Sequence, residues 1–243
     1  MLWERWEFYL LSEGKEMFES DKQDKIYREI YPFNASKEAL DWAQKNKIEL
    51  QYLMTYYKCA LREIETKFRV LDEEFSLKNG RRPINSIKTR LKSIPSIIEK
   101  LERKEIKISL SAVVQELNDI AGIRVICLFT EDVYKLADAL LRQENIVLIE
   151  KKDYIKNPKK DGYRSLHLIV EVPIFLENEK RIIKVEIQLR TIAMDCWASM
   201  ERQLRYKKDV QLTEIMQDEI FQCAQLSMEL DEKMDWLREM TNV

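Results

Sequence analysis

Residues 165–191, SLHLIVEVPIFLENEKRIIKVEIQLRT, contain two apolar runs separated by a polar, hairpin-like turn. The second run, 182–191, alternates from Ile183 onward: branched aliphatic residues occupy every other position, with lysine, glutamate, glutamine and arginine between them. Successive side chains of a strand point to opposite faces, so this period of two predicts a strand with one apolar and one polar face. The first run, 165–176, is more uniformly apolar and predicts a second strand.

Two further strands are predicted upstream of this pair. Residues 120–129, IAGIRVICLF, form a continuous run rich in branched side chains, which is typical of a buried strand. Residues 130–143 follow as an amphipathic helix with Thr130 as its N-cap. Residues 146–154, IVLIEKKDY, predict another strand, and the polar segment that follows it predicts a loop.

Helices are predicted on both sides of these strands. Residues 1 to about 80 show helical spacing of apolar residues, with Ser36 as an N-cap. A break at NGRRP ends this pattern, and residues 84–104 predict a turn followed by a helix that begins near Ser96. From Ile192 onward the chain again has a helical pattern.

This order of elements predicts an α+β fold. We expect a mixed, mainly antiparallel central sheet of about four to five strands, flanked by helices. Residues 1–50 are predicted to form a helical N-terminal extension, and residues 51–243 the main domain, with a helical C-terminus.

Composition narrows the class of protein. The net charge is −2 over 243 residues, so the chain as a whole is not a binder of polyanions. Its four cysteines form no CxxC pair and it has one histidine, which argues against a dedicated zinc site and for a reduced, cytoplasmic compartment. No run of about 18 apolar residues predicts a membrane span, and the N-terminus lacks the basic and apolar regions of a signal peptide.

Two carboxylates are candidates for binding a divalent cation. Glu186 lies on the polar face of the alternating strand, and Asp119 immediately precedes the predicted strand at 120–129. Mg²⁺ is usually held by one or two carboxylates together with substrate phosphates. The alternative interpretation is that this face, which also carries Lys184, Gln188 and Arg190, is simply solvated.

A basic segment precedes Asp119. Between Arg81 and Lys104 eight residues are basic and two are acidic, an asymmetry that indicates a local polyanion site rather than ordinary solvated surface. Lys100 and Arg103 are three positions apart and would share a helix face.

The segment 161–167, DGYRSLH, contains the only histidine and one of the four glycines. Five lysines lie between positions 151 and 160. Gly162 permits close approach of the backbone, and Tyr163 offers a ring that could stack on a base. His167 is predicted to lie on the same face as Tyr163; the alternative is a hydrogen-bonded core histidine.

Together these features indicate transfer of a phosphoryl-type group between nucleotides, a reaction that depends mainly on positioning and charge neutralisation. The sequence has no GxxxxGKS or GxxxxGKT motif, which excludes a P-loop enzyme. It also lacks the DFG and HRD motifs of protein kinases.

Four segments resemble the small alarmone synthetases, the single-domain relatives of the Rel/SpoT stringent-response enzymes. The segments occur in the family's order, and the resemblance covers the chain from about Tyr56 to about Asp235. They are TRLKSIPSIIEKLERK (89–104), NDIAGIRVIC (118–127), DYIKNPKKDGYRSLHLIVEVP (153–173) and VEIQLRTIAMDCWASMERQLRYKK (185–208).

The resemblance implies a GTP or GDP pyrophosphokinase in residues 51–243. Such an enzyme transfers the β,γ-pyrophosphate of ATP to the 3′-hydroxyl of GDP or GTP, giving ppGpp or pppGpp and AMP. It implies Mg²⁺ as cofactor and, through the family's helices, a possible homotetramer. Because the chain has one histidine, it lacks the histidine-rich hydrolase domain of bifunctional relatives, and we expect no alarmone hydrolysis.

The resemblance also implies roles on the donor side. Arg90 and Arg124 would flank the adenine of ATP. Asp119 and Glu186 would hold Mg²⁺, and Glu186 would also help to deprotonate the acceptor hydroxyl. The residues implied to hold the ATP phosphates are Lys92, Lys100 and Arg103.

On the acceptor side, Tyr163 would stack on the guanine. His167, Lys159 and Lys152 would meet the acceptor's phosphates. The remaining residues implied at the acceptor site are Gln188, Arg190, Asp195 and Glu201.

Two departures leave the acceptor open. Arg202 stands where the family usually has a histidine, and residues 1 to about 50 are not explained by the resemblance. Some toxic relatives use the same motifs to pyrophosphorylate the 3′ end of tRNA or to make adenosine alarmones, in which case a tRNA or an antitoxin protein would be a partner. A third possibility is an inactive nucleotide-binding regulatory module.

Overall fold

The computed structural model describes residues 36–206 and 213–241, and a five-stranded sheet lies at its centre. Its strands are β1 (Ile84–Leu91), β2 (Ala121–Cys127), β3 (Val147–Asp153), β4 (Leu166–Phe175) and β5 (Lys180–Thr191). The spatial order is β1-β2-β5-β4-β3, and only the β2–β5 pair is parallel. The predicted α+β fold with a mixed, mainly antiparallel sheet is therefore confirmed.

Seven helices flank the sheet within the described residues. They are α1 (Lys37–Lys45), α2 (Lys47–Asn79), α3 (Ile94–Arg103), α4 (Leu110–Glu116), α5 (Thr130–Leu141), α6 (Ile192–Tyr206) and α7 (Glu214–Thr241). The predicted N-cap at Ser36 is confirmed, since its hydroxyl accepts a hydrogen bond from the Ala39 amide at 3.2 Å. Most of the predicted N-terminal extension, residues 1–35, lies outside the described residues, and its described part belongs to α1 and the start of α2.

The N-cap prediction for Thr130 is wrong by one position. Phe129 occupies the cap, without a side-chain cap hydrogen bond, and Thr130 is the first residue of α5. The Thr130 amide instead donates to the carboxylate of Asp235 in α7 at 3.1 Å. The unpaired amide at the helix start is thus satisfied by a residue more than one hundred positions away, which local pattern does not reveal.

The prediction of a turn followed by a helix over 84–104 is wrong in its first part, because residues 84–91 form β1. Within the described residues this strand lies at the edge of the sheet and pairs with β2 alone, and none of its residues is buried, so it lacks the apolar run that marks a buried strand. The helix that follows, α3, begins at Ile94, and the hydroxyl of Ser93 accepts from the Ser96 amide.

The hydrophobic core lies between the helices α2 and α5 and one face of the sheet. Ile64 and Phe68 of α2 and Leu136 of α5 are fully buried, together with Val125 and Leu189 from the central strands. These residues follow the periods of 3.6 and 2 that the sequence shows. The apolar face of the sheet is therefore covered, and its opposite face is the one that carries the polar residues of β5.

A smaller cluster joins the last two helices. Trp197 and Ala198 of α6 pack with Ile220 and Ala224 of α7, and Tyr163 contacts this cluster. The indole nitrogen of Trp197 donates to the backbone carbonyl of Ile220 at 3.0 Å. No helix in residues 36–206 and 213–241 is long and apolar enough to cross a membrane.

Candidate active site

One row of polar side chains crosses all five strands on the open face of the sheet. The strand register places Lys88 opposite Arg124, Arg124 beside Gln188, Gln188 opposite His167, and His167 opposite Lys152. Paired residues of neighbouring strands share a face. Lys88 of β1 and Lys152 of β3, the two ends of the row, are 64 positions apart in the chain and therefore line one surface.

A second row lies next to the first. It contains Arg90, Gly122, Glu186 and Ile169 in register. A Cβ atom at Gly122 would lie 3.9 Å from a carboxylate oxygen of Glu186. The glycine leaves the space above β2 open between Arg90 and Glu186.

The two predicted carboxylates lie near each other at this surface. Burial, and after it the negative charge of Asp119, raises the pKa of Glu186. Burial also acts to raise the pKa of Asp119, but hydrogen bonds from Lys100 and Lys92 outweigh it and hold that pKa below its ordinary value. Both lysine ammonium groups lie 2.7 Å from Oδ2 of Asp119.

The pair fits a divalent cation shared with substrate. Oδ1 of Asp119 is buried and has no hydrogen-bond partner among the described residues, which leaves one carboxylate oxygen available to a ligand. The described residues contain no group of three or more histidines, cysteines or carboxylates arranged to hold a metal ion. Two carboxylates without a complete protein cage match the way Mg²⁺ binds beside phosphates.

The basic residues of the donor side are only partly brought together. Lys92 and Lys100 converge on Asp119, and Arg90 is exposed at the end of β1. Arg103 is exposed on α3 and forms no ion pair among the described residues. Of the two cations predicted to share a helix face, Lys100 is therefore bound at the site, whereas Arg103 is exposed to solvent.

Arg190 and Asp195 form a buried ion pair next to the site. Asp195 accepts hydrogen bonds from Lys88, Arg124 and Arg190 at 3.0 to 3.2 Å. Burial acts to raise the pKa of Asp195, but these cations outweigh it and lower that pKa. Arg190 is 1% exposed, so its guanidinium is directed at its own chain rather than at solvent.

Arg190 also fixes Tyr163. Its guanidinium donates to the Tyr163 hydroxyl and to the side-chain oxygen of Gln188, and it lies 5.0 Å from the centre of the Tyr163 ring. The Tyr163 hydroxyl lies 2.8 Å from Nε2 of His167. The aromatic ring and the lone histidine are therefore held as one unit on the open face.

One further ring, that of Tyr154, and the ammonium group of Lys159 pack against this unit. Tyr154 contacts both Tyr163 and His167 edge-to-face, with ring centres 6.0 and 5.3 Å apart. The ammonium of Lys159 lies 4.8 Å from the ring centres of Tyr154 and Tyr163. Cations are attracted to aromatic faces, so these contacts hold Lys159 beside the site.

His167 is neutral at physiological pH. Burial, followed by the positive charges of Arg190, Lys159, Lys152 and Arg124, lowers its pKa to about 4. Its Nδ1 lies 3.8 Å from Glu186. The surrounding cations, rather than His167 itself, supply the positive charge of this half of the site.

Three other residues lie at the margin. Lys152 is exposed and pairs with Glu150 at 2.9 Å, although the row includes it. Glu201 pairs with Arg205 along α6, and no hydrogen bond or ion pair joins it to another predicted site residue among the described residues. Arg202 is exposed, and its charge contributes to lowering the pKa of Arg124 after burial and Arg190.

Sequence reasoning missed two residues, Lys88 and Tyr154. Lys88 lies in β1, which was not predicted as a strand, so its place beside Arg124 was not visible. Tyr154 follows a strand directly, and the signal that could have found it was its closeness in sequence to Lys159 and Tyr163.

The site has a carboxylate pair with lysines on one side and the Tyr163–His167 unit with Lys159 on the other. This arrangement is that of the class of nucleotide-binding enzyme which the sequence motifs predict, and the comparison with protein families agrees. Residues 89–211 match the family model described as "Region found in RelA / SpoT proteins". The chain belongs to this family.

Among its relatives is the GTP pyrophosphokinase YwaC of Bacillus subtilis, which is 43% identical over 178 residues, covering 73% of this chain and 85% of the relative. The crystal structure of small alarmone synthetase 2 from Bacillus subtilis matches with a TM-score of 0.71 at 40% identity, over 79% of this chain and 99% of that one. Small alarmone synthetase 1 from the same organism, bound to its product pppGpp, matches with a TM-score of 0.71 at 30% identity, over 79% and 97%.

Proposed function

We propose that this chain is a GTP or GDP pyrophosphokinase that makes pppGpp or ppGpp. The acceptor's 3′-oxygen attacks the β-phosphorus of ATP, the bond between the α,β-bridging oxygen and that phosphorus breaks, and AMP leaves. The observation that carries this proposal is the carboxylate pair Asp119 and Glu186, which lies between a lysine pair on one side and the Tyr163–His167 unit on the other.

The donor would bind on the β1–α3 side. Lys92 and Lys100 lie beside Asp119 and provide the positive charge that a triphosphate requires. Arg90 and Arg124 share a sheet face and present planar guanidinium groups suited to stacking on adenine. Arg103 would add charge from the exposed face of α3.

Asp119 and Glu186 would hold Mg²⁺, and the free Oδ1 of Asp119 supports this assignment. The ion, when bound, would neutralise charge that develops on the transferred pyrophosphate. The raised pKa of Glu186 also suits it to accept the proton of the acceptor hydroxyl, since a base works best with a pKa close to the ambient pH.

The acceptor would bind on the β4–β3 side. Tyr163 would stack on the guanine, and Lys159, held between two rings, would meet the phosphates together with Lys152. His167 would contribute as a neutral hydrogen-bonding group. Arg190, Gln188 and Asp195 would act indirectly, by holding Tyr163 and Arg124 in place. Glu201 would act indirectly as well, through its position on α6.

We place the protein in the cytoplasm and propose a homo-oligomer, with a tetramer as the expected form. The supporting feature is α7, on which Leu226, Leu230, Met234 and Leu237 are each more than 40% exposed. These positions fall on one side of the helix, and an exposed apolar stripe of this kind marks an interaction surface.

The test is to incubate the purified protein with Mg²⁺ and ATP labelled in the γ-phosphate, in parallel with GDP, GTP, ATP or deacylated tRNA. We expect label on GDP or GTP and stoichiometric AMP. Label on tRNA alone would support the toxin-type acceptor instead, and label on no acceptor, with nucleotide binding retained, would indicate a regulatory module.

A further inference from the structure

The segment 161–167 contains a residue that the proposed site does not use. Arg164 is flanked by Gly162 and Tyr163 on one side and Ser165 on the other, yet its side chain is buried and is bound to α7. Its guanidinium donates to Oδ2 of Asp231 in α7 at 2.9 Å, and the two side chains are 8% and 7% exposed. Asp231 is the only ion-pair partner of Arg164 among the described residues.

The same loop contacts α7 a second time. A Cβ atom at Gly162 would lie only 2.4 Å from the Cβ of Ala224, so the backbone of the loop lies directly on the helix. Tyr163 also packs against the cluster that Ala224 and Trp197 form. Contacts to α7 therefore anchor the chain on both sides of Tyr163.

Asp231 reaches the end of β5 as well. Thr191 contributes a hydrogen bond to its carboxylate, although burial outweighs this bond and Arg164 and raises the pKa of Asp231. Ser165, next to Arg164, donates to the carbonyl of Leu189 on the same strand at 3.1 Å. One carboxylate in α7 thus connects the loop with the strand that carries Glu186, Gln188 and Arg190.

We propose that Asp231 is a positioning residue for the acceptor nucleotide: through Arg164 it holds the loop that presents Tyr163. The inference rests on the proposed function, because it assigns the Tyr163 side of the site to the acceptor. The lysines proposed for the donor, Lys92 and Lys100, form their ion pairs with Asp119 and not with Asp231. Loss of the Asp231 carboxylate should consequently weaken binding of the acceptor nucleotide and leave binding of ATP unchanged.

The test compares Asp231→Asn with Asp235→Asn, a matched change one turn further along α7. Asp235 accepts a hydrogen bond from the Thr130 amide and not from residues 161–167, the proposed acceptor loop. We expect Asp231→Asn to raise KM for GDP or GTP about tenfold, with KM for ATP and kcat at saturating acceptor within about twofold of wild type. Asp235→Asn should leave the acceptor KM within about twofold.

A second variant, Arg164→Lys, keeps the positive charge opposite Asp231 and loses the planar guanidinium, and it guards against an Asp231 variant that does not fold. It should also raise the acceptor KM selectively. Equal rises of both KM values, an unchanged acceptor KM in folded Asp231→Asn or Arg164→Lys protein, or the same effect in Asp235→Asn would overturn the proposal.

Hydrogen exchange provides a readout that does not depend on the reaction. The amides of Gly162 and Tyr163 are bonded within the loop, to the carbonyl of Lys159 and to Asp161. Asp231→Asn should speed their exchange more than Asp235→Asn does, and equal exchange would count against the proposal. If wild-type protein transfers no label to GDP or GTP, the proposed function fails, whereas the exchange comparison still decides whether Asp231 holds the loop.

Discussion

At the scale of single residues, the role of a side chain here depends on its partners more than on its type. Arg190 and Arg124 are both arginines of the central strands on the polar side of the sheet. Arg190 is 1% exposed and donates hydrogen bonds to Asp195, Gln188 and Tyr163. Arg124 keeps one bond to Asp195 and is partly exposed, which leaves it available to a base. Arg190 therefore holds other side chains of the site in place, whereas Arg124 can contact a ligand.

The lone histidine permits a direct measurement. Because the chain has one histidine, its ring gives a single set of NMR signals, and we expect them to titrate with a midpoint at about 4. Added GDP should raise that midpoint, since its phosphates offset the cations around His167. A midpoint near the ordinary histidine value in the free protein would contradict this arrangement.

The same pKa has a consequence for stability. A histidine whose pKa is lower in the folded than in the unfolded state binds fewer protons when folded, so its contribution is complete above the unfolded pKa and is lost as the pH falls toward the folded one. As the pH falls from about 6.5 through about 4, His167 should therefore cost stability, by at most about 3.5 kcal/mol for a pKa lowered by about 2.5 at 1.4 kcal/mol per pKa unit. Denaturant unfolding of wild type and His167→Asn over this range should show a flatter pH dependence in the variant.

The metal assignment can be tested with a matched substitution. Glu186→Gln and Asp119→Asn should each lower kcat/KM by at least about 100-fold, because a carboxylate that binds the cation or accepts the proton is lost. Both should also weaken binding of Mn²⁺ measured by electron paramagnetic resonance. The control is Glu171→Gln, which lies on the same sheet face in register with Lys184 and should stay within about twofold of wild type. Normal metal-dependent turnover in either site variant would refute the assignment.

At the scale of elements, the loop 161–167 packs directly against α7. Gly162 has a φ of 88°, a conformation that favours glycine, and its position against Ala224 leaves no room for a side chain. Close backbone approach was predicted at this glycine, and the structure shows that the approach is to α7. Helix α7 therefore supports the loop 161–167 on one side, and the open face of the sheet stays accessible to a ligand.

A pair of glycines separates backbone strain from steric overlap. Gly80 has a φ of 71° with no atom near its missing side chain, whereas a Cβ at Gly162 would meet Ala224 at 2.4 Å. We expect Gly80→Ala to lower the free energy of unfolding by about 1–2 kcal/mol. Gly162→Ala should cost about 1–3 kcal/mol more because it overpacks the contact.

The extra cost at Gly162 should depend on the facing residue. Adding Ala224→Gly to Gly162→Ala removes the clashing carbon, so a double-mutant cycle on unfolding free energies should give a favourable coupling. Equal costs at the two glycines, or no coupling with Ala224→Gly, would mean that the loop does not rest on α7 as described.

At the scale of the whole molecule, the chain has a covered and an uncovered surface. The apolar side of the sheet is closed by α2 and α5, while α7 covers the acceptor loop with one side and exposes its apolar stripe with the other. A partner on that stripe would contact the helix that holds Tyr163 in place. Assembly and acceptor binding would then be connected through Asp231.

The proposed oligomer makes a prediction about mass. Leu226→Lys, at a leucine 64% exposed in the single chain, should reduce the mass measured by light scattering after size exclusion, since a charge would be buried at the interface. Leu77→Lys, at a leucine 89% exposed on α2, is the matched control and should leave the mass unchanged. A wild-type protein that already runs as a monomer would refute the assembly.

The sequence by itself determined the sheet-and-helix plan and the polar face of β5, because periods of 2 and 3.6 record which face of an element meets the core. Its motifs also indicated the carboxylates and most of the cations of the candidate site, but not Lys88. It did not identify β1, whose exposed edge position leaves no apolar pattern. Only the tertiary structure decided which charges neutralise one another: Lys88 and Asp195 are 107 positions apart, and Arg164 and Asp231 are 67 apart. Such pairings depend on the order in which strands and helices assemble in space, and local sequence carries no record of that order.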